Sequence, residues 1–217
     1  MTVQTQPDAA LPDPADFGFS VIAEDDLPPE LLALAEQVRH LVEAVAHTDV
    51  EREELVAARG MVEALTERLN ARRRDTTTVL KEESPQARAE YSTVINAVSG
   101  DTNPAAPPLS LERTDDGLRG EVTLSGAYQG PPGAAHGGWV AALLDQALGA
   151  AAGAAGMPGL TANLNVDFHE ITPLNEPLSV EARVTGTERR KVFVSGEIRH
   201  NGQVTATGTA IMVRLAL

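Results

Sequence analysis

Residues 133–156 read GAAHGGWVAALLDQALGAAAGAAG, and two groups in this stretch are equipped for chemistry. The first is His136-Gly137-Gly138, at the point where a helix is expected to begin. First-turn backbone N–H groups have no intrahelical partner and sit at the positive end of the helix dipole. Glycines leave that end uncovered, so a ligand oxygen can approach and a backbone oxyanion hole can form. The second group is Asp145, a single carboxylate with Ala141, Ala142, Leu144 and Leu148 within a turn of it. An unpaired carboxylate in apolar surroundings is penalised. Three readings are open: a solvent-facing stripe shared with Gln146, an ion pair with an Arg, or a general base or nucleophile in an apolar groove.

Spacing constrains how the two groups can cooperate. Gly137 and Asp145 are eight residues apart, about 12 Å along one helix. They cannot both touch one carbonyl carbon. If both act, the N–H donor and the acid come from different chains, which predicts a homodimer with two sites related by a two-fold axis.

The surrounding chain has two grammars. Residues 1–28 are rich in Pro, Asp and Ala without periodicity, and are expected to be disordered. The span 29–100 is expected to be a helical extension. Leu31, Leu34, Val38, Leu41 and Val45 mark one helix, and Leu55, Ala58, Val62, Leu65 and Leu69 a second. Thr48 and Glu51 resemble a capping box between them, so a helical hairpin is expected. A third helical piece is expected over about residues 85–98. The run SGDTNPAAPPL at 99–109 then marks a boundary.

From 104 to 217 the chain reads as two strands, one long helix and four strands. Leu164, Val166 and Phe168 alternate, as do Val180, Ala182 and Val184, and Asn201-Gly202 is a hairpin signal. This order predicts an α+β domain in which an antiparallel sheet of five to six strands wraps a central helix.

Bulk properties narrow the function. The 217 residues carry a formal net charge of −14 and no Cys. Such acidity repels nucleic acid and anionic lipid, and the lack of Cys removes thiolate chemistry. His40, His47, His136, His169 and His200 show no ligand spacing, so no metal site is expected. The N-terminus has neither a basic region nor an apolar run, and no stretch is long enough to span a membrane. A soluble cytoplasmic protein is expected.

The motifs HGGWVAALLDQALG and TANLNVDFHEITPL resemble the hot-dog fold thioesterases of the PaaI and 4-hydroxybenzoyl-CoA thioesterase type, with THEM-like acyl-CoA thioesterases nearest. The resemblance covers about residues 104–215. It implies a hot-dog fold, a homodimer often paired into a dimer of dimers, and an acyl-CoA substrate with no cofactor beyond its coenzyme A. It also implies that Gly137 N–H polarises the thioester carbonyl, that His136 shapes the loop, and that Asp145 acts as base or nucleophile. Thr161 falls where THEM-like members hold a Ser or Thr that supports the water or the base; alternatively it is an ordinary strand-start residue. Gly138 and Asn163 are further contact candidates. Arg189, Arg190 and Lys191 form a basic cluster suited to coenzyme A phosphates, or simply a solvated turn. Two departures stand out: Gly130 replaces an Asn found in some members, and residues 168–173 read FHEITP where a basic residue and an Arg are common. Competing readings are a non-catalytic acyl-CoA or apolar-ligand binding or assembly module, and a hot-dog hydratase or dehydratase. The latter needs a His five residues after the acid, where this chain has Ala150.

Overall fold

The computed structural model describes residues 13–75, 77–83 and 89–214, which divide into two compact units, 13–95 and 96–214. The second unit holds the motifs. Its strands are β4 (Ser110–Thr114), β5 (Gly117–Thr123), β6 (Gly159–Phe168), β7 (Pro177–Glu188), β8 (Lys191–His200) and β9 (Gln203–Arg214), with one long helix, α3 (Gly137–Ala154), between β5 and β6. They form one antiparallel sheet in the order β4-β5-β7-β8-β9-β6. Two strands, a long helix and four strands is the expected order, and it is the hot-dog arrangement. The sheet has two unequal edges: the ten-residue β6 and the five-residue β4.

Local chemistry explains the connections. Asn201 and Gly202 both take positive φ, 49° and 81°, which is the type I′ geometry that matches strand twist. Helix α3 stops in a Schellman motif: Gly156 adopts φ 74°, its N–H reaches Gly153 O, and Met157 N–H reaches Ala152 O.

Helix α3 buries Val140, Leu143, Leu144, Ala147, Leu148, Ala151 and Ala152 on one face. These meet Leu178, Val180, Ala182, Val192, Val194, Ile198, Ala206, Ala210 and Met212 from the sheet. Few aromatics contribute, so the contact is close rather than bulky. Gly196 and Gly208, paired across β8 and β9, lie directly beneath the helix. A Cβ on Gly196 would come within 2.5 Å of Glu181 O and 3.2 Å of Leu148 Cδ2.

The first unit departs from expectation. It contains β1 (Val21–Ala23), α1 (Pro29–His47), α2 (Arg52–Asn70), β2 (Val79–Glu83) and β3 (Ala89–Thr93). Strand β1 runs parallel to β2, and β2 antiparallel to β3. Part of the segment expected to be disordered is therefore a strand held by backbone hydrogen bonds; residues 1–12 lie outside the described residues. The third helix is not formed over 89–93, where AEYST pairs with VLKEE instead; residues 84–88 lie outside the described residues. The capping box is not formed either. Thr48 ends α1, and Glu51 is the N-cap of α2 without a side-chain hydrogen bond. Both residues are extended, with ψ 141° and 155°. An extended linker carries the second helix away from the first, and among the described residues α1 and α2 do not pack along one another. The expected hairpin is open.

The Gly196 contact can be tested. Gly196→Ala should destabilise by about 1–3 kcal/mol through overpacking, measured by urea unfolding. Gly208→Ala should cost less, because its Cβ would meet Leu144 at 3.4 Å. Equal stability of Gly196→Ala and the parent would show that β7 and α3 give way around the added methyl without cost.

Candidate active site

The loop before α3 is built first. Pro131, Pro132 and Gly133 make a turn closed by Ala134 N–H to Pro131 O at 3.0 Å, with Gly133 at φ 76°. Pro at the second position and Gly at the third suit a type II turn. Gln129 Oε1 accepts from Gly133 N–H at 3.1 Å. Ala135 N–H then bonds Thr172 O, and His136 N–H bonds Tyr128 O. Tyr128 is buried and meets the Trp139 ring edge-on at 5.0 Å. Gly130 has a steric reason: a Cβ there would lie 2.8 Å from His136 Cα. The Asn of some relatives does not fit this loop as it stands.

His136 is the N-cap of α3. Its Nδ1 accepts the Gly138 N–H at 2.9 Å. In the neutral ring the proton therefore sits on Nε2. This contact divides the first-turn donors. The Gly138 N–H, proposed from sequence as a ligand contact, is already taken. The Gly137 N–H has no hydrogen-bond partner among the described residues. The Phe168 ring lies beside Gly137, and a Cβ on Gly137 would sit 3.4 Å from Phe168 Cζ. Phe168 itself is 57% exposed, so the ring beside Gly137 presents an apolar surface to the outside.

Asp145 is half-buried on the flank of α3 next to Gln146. Its partner is a hydroxyl: Thr161 Oγ1 donates to Asp145 Oδ1 at 2.8 Å. The same oxygen lies 3.3 Å from Met212 Sδ. Strand parity alone would not bring Thr161 here, because it is three residues from Leu164 and strands alternate by two. The β6–β9 register slips between Thr161 and Asn163, leaving Ala162 as the extra residue of a bulge. Thr161 consequently stands opposite the buried Met212, on the face that carries Leu164, Val166 and Phe168. Asn163 stands opposite Ile211 on the other face, so the fold does not bring it to Asp145.

The basic cluster is a turn. Arg189, at φ 55°, and Arg190 connect β7 to β8, since Glu188 pairs with Lys191. Arg190 Nε and Nη2 both donate to Arg214 O, at 3.0 and 2.9 Å, and Arg214 Nη2 donates to Arg189 O. Arg214 thus joins a cluster in which sequence reading included only its neighbours in the chain. Arg214 pairs with Gly159, two residues from Thr161, so the cluster occupies the Thr161 end of the sheet. Among the described residues no group of three His, Asp or Glu side chains is arranged to hold a metal ion. No helix in them is long and apolar enough to cross a membrane.

Comparison with known proteins follows the same domain. A family model described as the Thioesterase superfamily matches residues 132–207. Among curated proteins, acyl-coenzyme A thioesterase THEM4 of Xenopus laevis is 40% identical over 91 residues, and THEM4 of Bos taurus is 36% identical over 89. These matches take in 40% of this chain, and 40% and 36% of the relatives, so the chain spans less than half the length of either. A crystal structure of a thioesterase superfamily protein aligns far more completely. It superposes with a TM-score of 0.76 at 31% identity, over 89% of this chain and 98% of the other. With a relative matched along nearly its whole length, and the site-bearing helix inside the span of the family model, this chain belongs to the thioesterase superfamily.

Proposed function

We propose that the protein hydrolyses acyl-coenzyme A thioesters, fatty or aromatic, to the free acid and coenzyme A. The observation that carries this reading is the hydrogen bond from Thr161 to Asp145. It fixes Oδ1 and leaves Oδ2 to receive a proton from water. That water attacks the thioester carbonyl carbon. Charge then gathers on the carbonyl oxygen, where a free N–H such as that of Gly137 stabilises it. Collapse of the tetrahedral species expels the coenzyme A thiolate, which takes up a proton, and the acid departs. Water and side chains suffice, so the reading assigns no resident cofactor; coenzyme A arrives as part of the substrate.

The site is completed by a second chain. Helix α3 and β6 run in opposite senses, since Gly137 lies by Phe168 and Asp145 by Thr161. Strand β6 is an edge, with free backbone groups on one side. Pairing two β6 edges antiparallel about a two-fold axis would set the Phe168 end of one beside the Thr161 end of the other. Gly137 of one chain then faces Asp145 of its partner, across a distance that one helix cannot close. This supports a homodimer of the PaaI type, with a dimer of dimers as the larger assembly. Arg189, Lys191 and Arg214 at the Thr161 end are the cations for the coenzyme A phosphates. Arg190 serves them indirectly, as the clamp on Arg214 O.

Hydrolysis of an acyl-CoA panel, followed by thiol release, tests the reading. Asp145→Asn should lower kcat by about 10²–10⁴-fold. A folded wild type with no turnover on any acyl chain would sink the hydrolase reading and favour a binding module. Gly137→Pro isolates the N–H. Proline is favoured at the first helical position and His136 is already extended at ψ 131°, so the fold should tolerate it. We expect kcat to fall roughly 10²–10³-fold with little change in Tm. Retained turnover in that variant would assign the oxyanion to another donor.

A further inference from the structure

Helix α2 differs from the other two α-helices: none of its 19 residues is buried, whereas α1 buries Ala35 and α3 buries a whole face. It is nonetheless strongly patterned. Leu55, Ala58, Val62, Leu65 and Leu69 recur at alternating spacings of three and four, the seam of a coiled coil. Leu55, Val62, Leu65 and Leu69 are 37 to 49% exposed, and Val56 and Met61 beside them are more so. Helix α1 has the same spacing, but there Leu31, Leu34 and Val38 are half-buried, so its stripe is partly used. An isolated helix of this length is marginal in water. The seam of α2 calls for a partner.

Charge identifies the partner. Residues 51–74 hold five Glu and six Arg, near neutrality in a chain of net charge −14, so two copies do not repel here as they do elsewhere. The charges are also polarised. Glu51, Glu53 and Glu54 lie at the start, and Arg68, Arg72, Arg73 and Arg74 at the end. Two such helices side by side in the same direction stack like on like. Turned end for end, each acidic start meets a basic end, and the helix dipoles also oppose favourably. The seam is close to symmetric about Val62, with Leu55 and Leu69 each seven residues away. A pair of seams of this length, with Val56 and Met61 at the flanks, buries on the order of 1,000 Å², the lower bound of a specific interface.

We propose that α2 pairs antiparallel with α2 of a second copy of this chain, about a two-fold axis near Val62. The contact is isologous and therefore closes on itself. It does not depend on hydrolysis at Asp145, and it adds an association surface separate from the β6 edge.

The absence of Cys from the chain makes the test clean. Single spin labels at Glu63→Cys and Arg52→Cys, both exposed and off the seam, are placed in the full-length protein, and label-to-label distances are read by pulsed electron resonance. Antiparallel pairing predicts a short distance for the Glu63 label and a much longer one for the Arg52 label, whose two copies are offset by roughly 30 Å along the axis at 1.5 Å per residue on each helix. Adding Val62→Glu and Leu65→Glu should abolish the short distance while the other domain keeps its thermal transition. Short distances at both labels would mean parallel pairing and overturn the proposal. No short distance at Glu63 would overturn it as well, and would leave the seam to a different partner. Persistence of the short distance in the Val62→Glu, Leu65→Glu protein would show that the seam does not hold the copies together.

Discussion

The separation between α3 and the middle of its sheet governs the rest of the domain. Gly196 and Gly208 remove two side chains from beneath the helix, and Ala147, Ala151 and Ala152 remove bulk from the helix itself. Leu144 and Leu148 then fill the space that remains. Interiors packed to this density do not absorb an extra methyl without displacement. The 2.8 Å bond between Asp145 and Thr161 spans this same interface, from the flank of the helix to the edge of the sheet. A helix lifted by one methyl layer would lose that bond before it lost its core. Packing is thus the device that aims the carboxylate.

Two irregularities do the finer positioning, and each solves a parity or access problem. The Ala162 bulge turns Thr161 toward the helix without disturbing Leu164, Val166 and Phe168 further along β6. The loop of residues 128–136 satisfies its backbone N–H groups one by one and reaches α3 with one donor spare. His136 caps Gly138, Tyr128 O accepts from His136, and the Gly137 N–H is left without a partner among the described residues. Histidine is an unusual N-cap. Here its ring occupies one amide so that the next is the one available.

How much of this was legible in the sequence depends on the range over which each feature is encoded. The six strands and α3 were readable because alternation and helical periodicity are local, and Asn201-Gly202 carries its turn in two residues. Asp145, Gly137 and His136 stood out because their types conflict with their surroundings. The contact of Thr161 with Asp145 was not derivable from spacing, because a bulge leaves no mark in a pattern of polar and apolar residues. Arg214 was missed since only the β8–β9 pairing brings it to Arg190. In the first unit, VLKEE and AEYST lack clean alternation, so tertiary pairing decided what propensity could not. The capping-box pattern at Thr48 and Glu51 failed because α2 begins one turn later than it requires, with Thr48 ending α1 and Glu51 itself at the N-cap.

The unequal edges of the six-stranded sheet have a consequence for how far the sheet can extend from copy to copy. A sheet whose two edges are both adhesive is a monomer unit for a fibre. Strand β6 offers ten residues of template; β4 offers five, with Glu112 and Arg113 side by side. A short charged edge makes a poor acceptor for another strand. Any association through β6 therefore consumes the one good template and exposes only poor ones. The sheet acts as its own chain terminator: extension edge to edge stops at two copies.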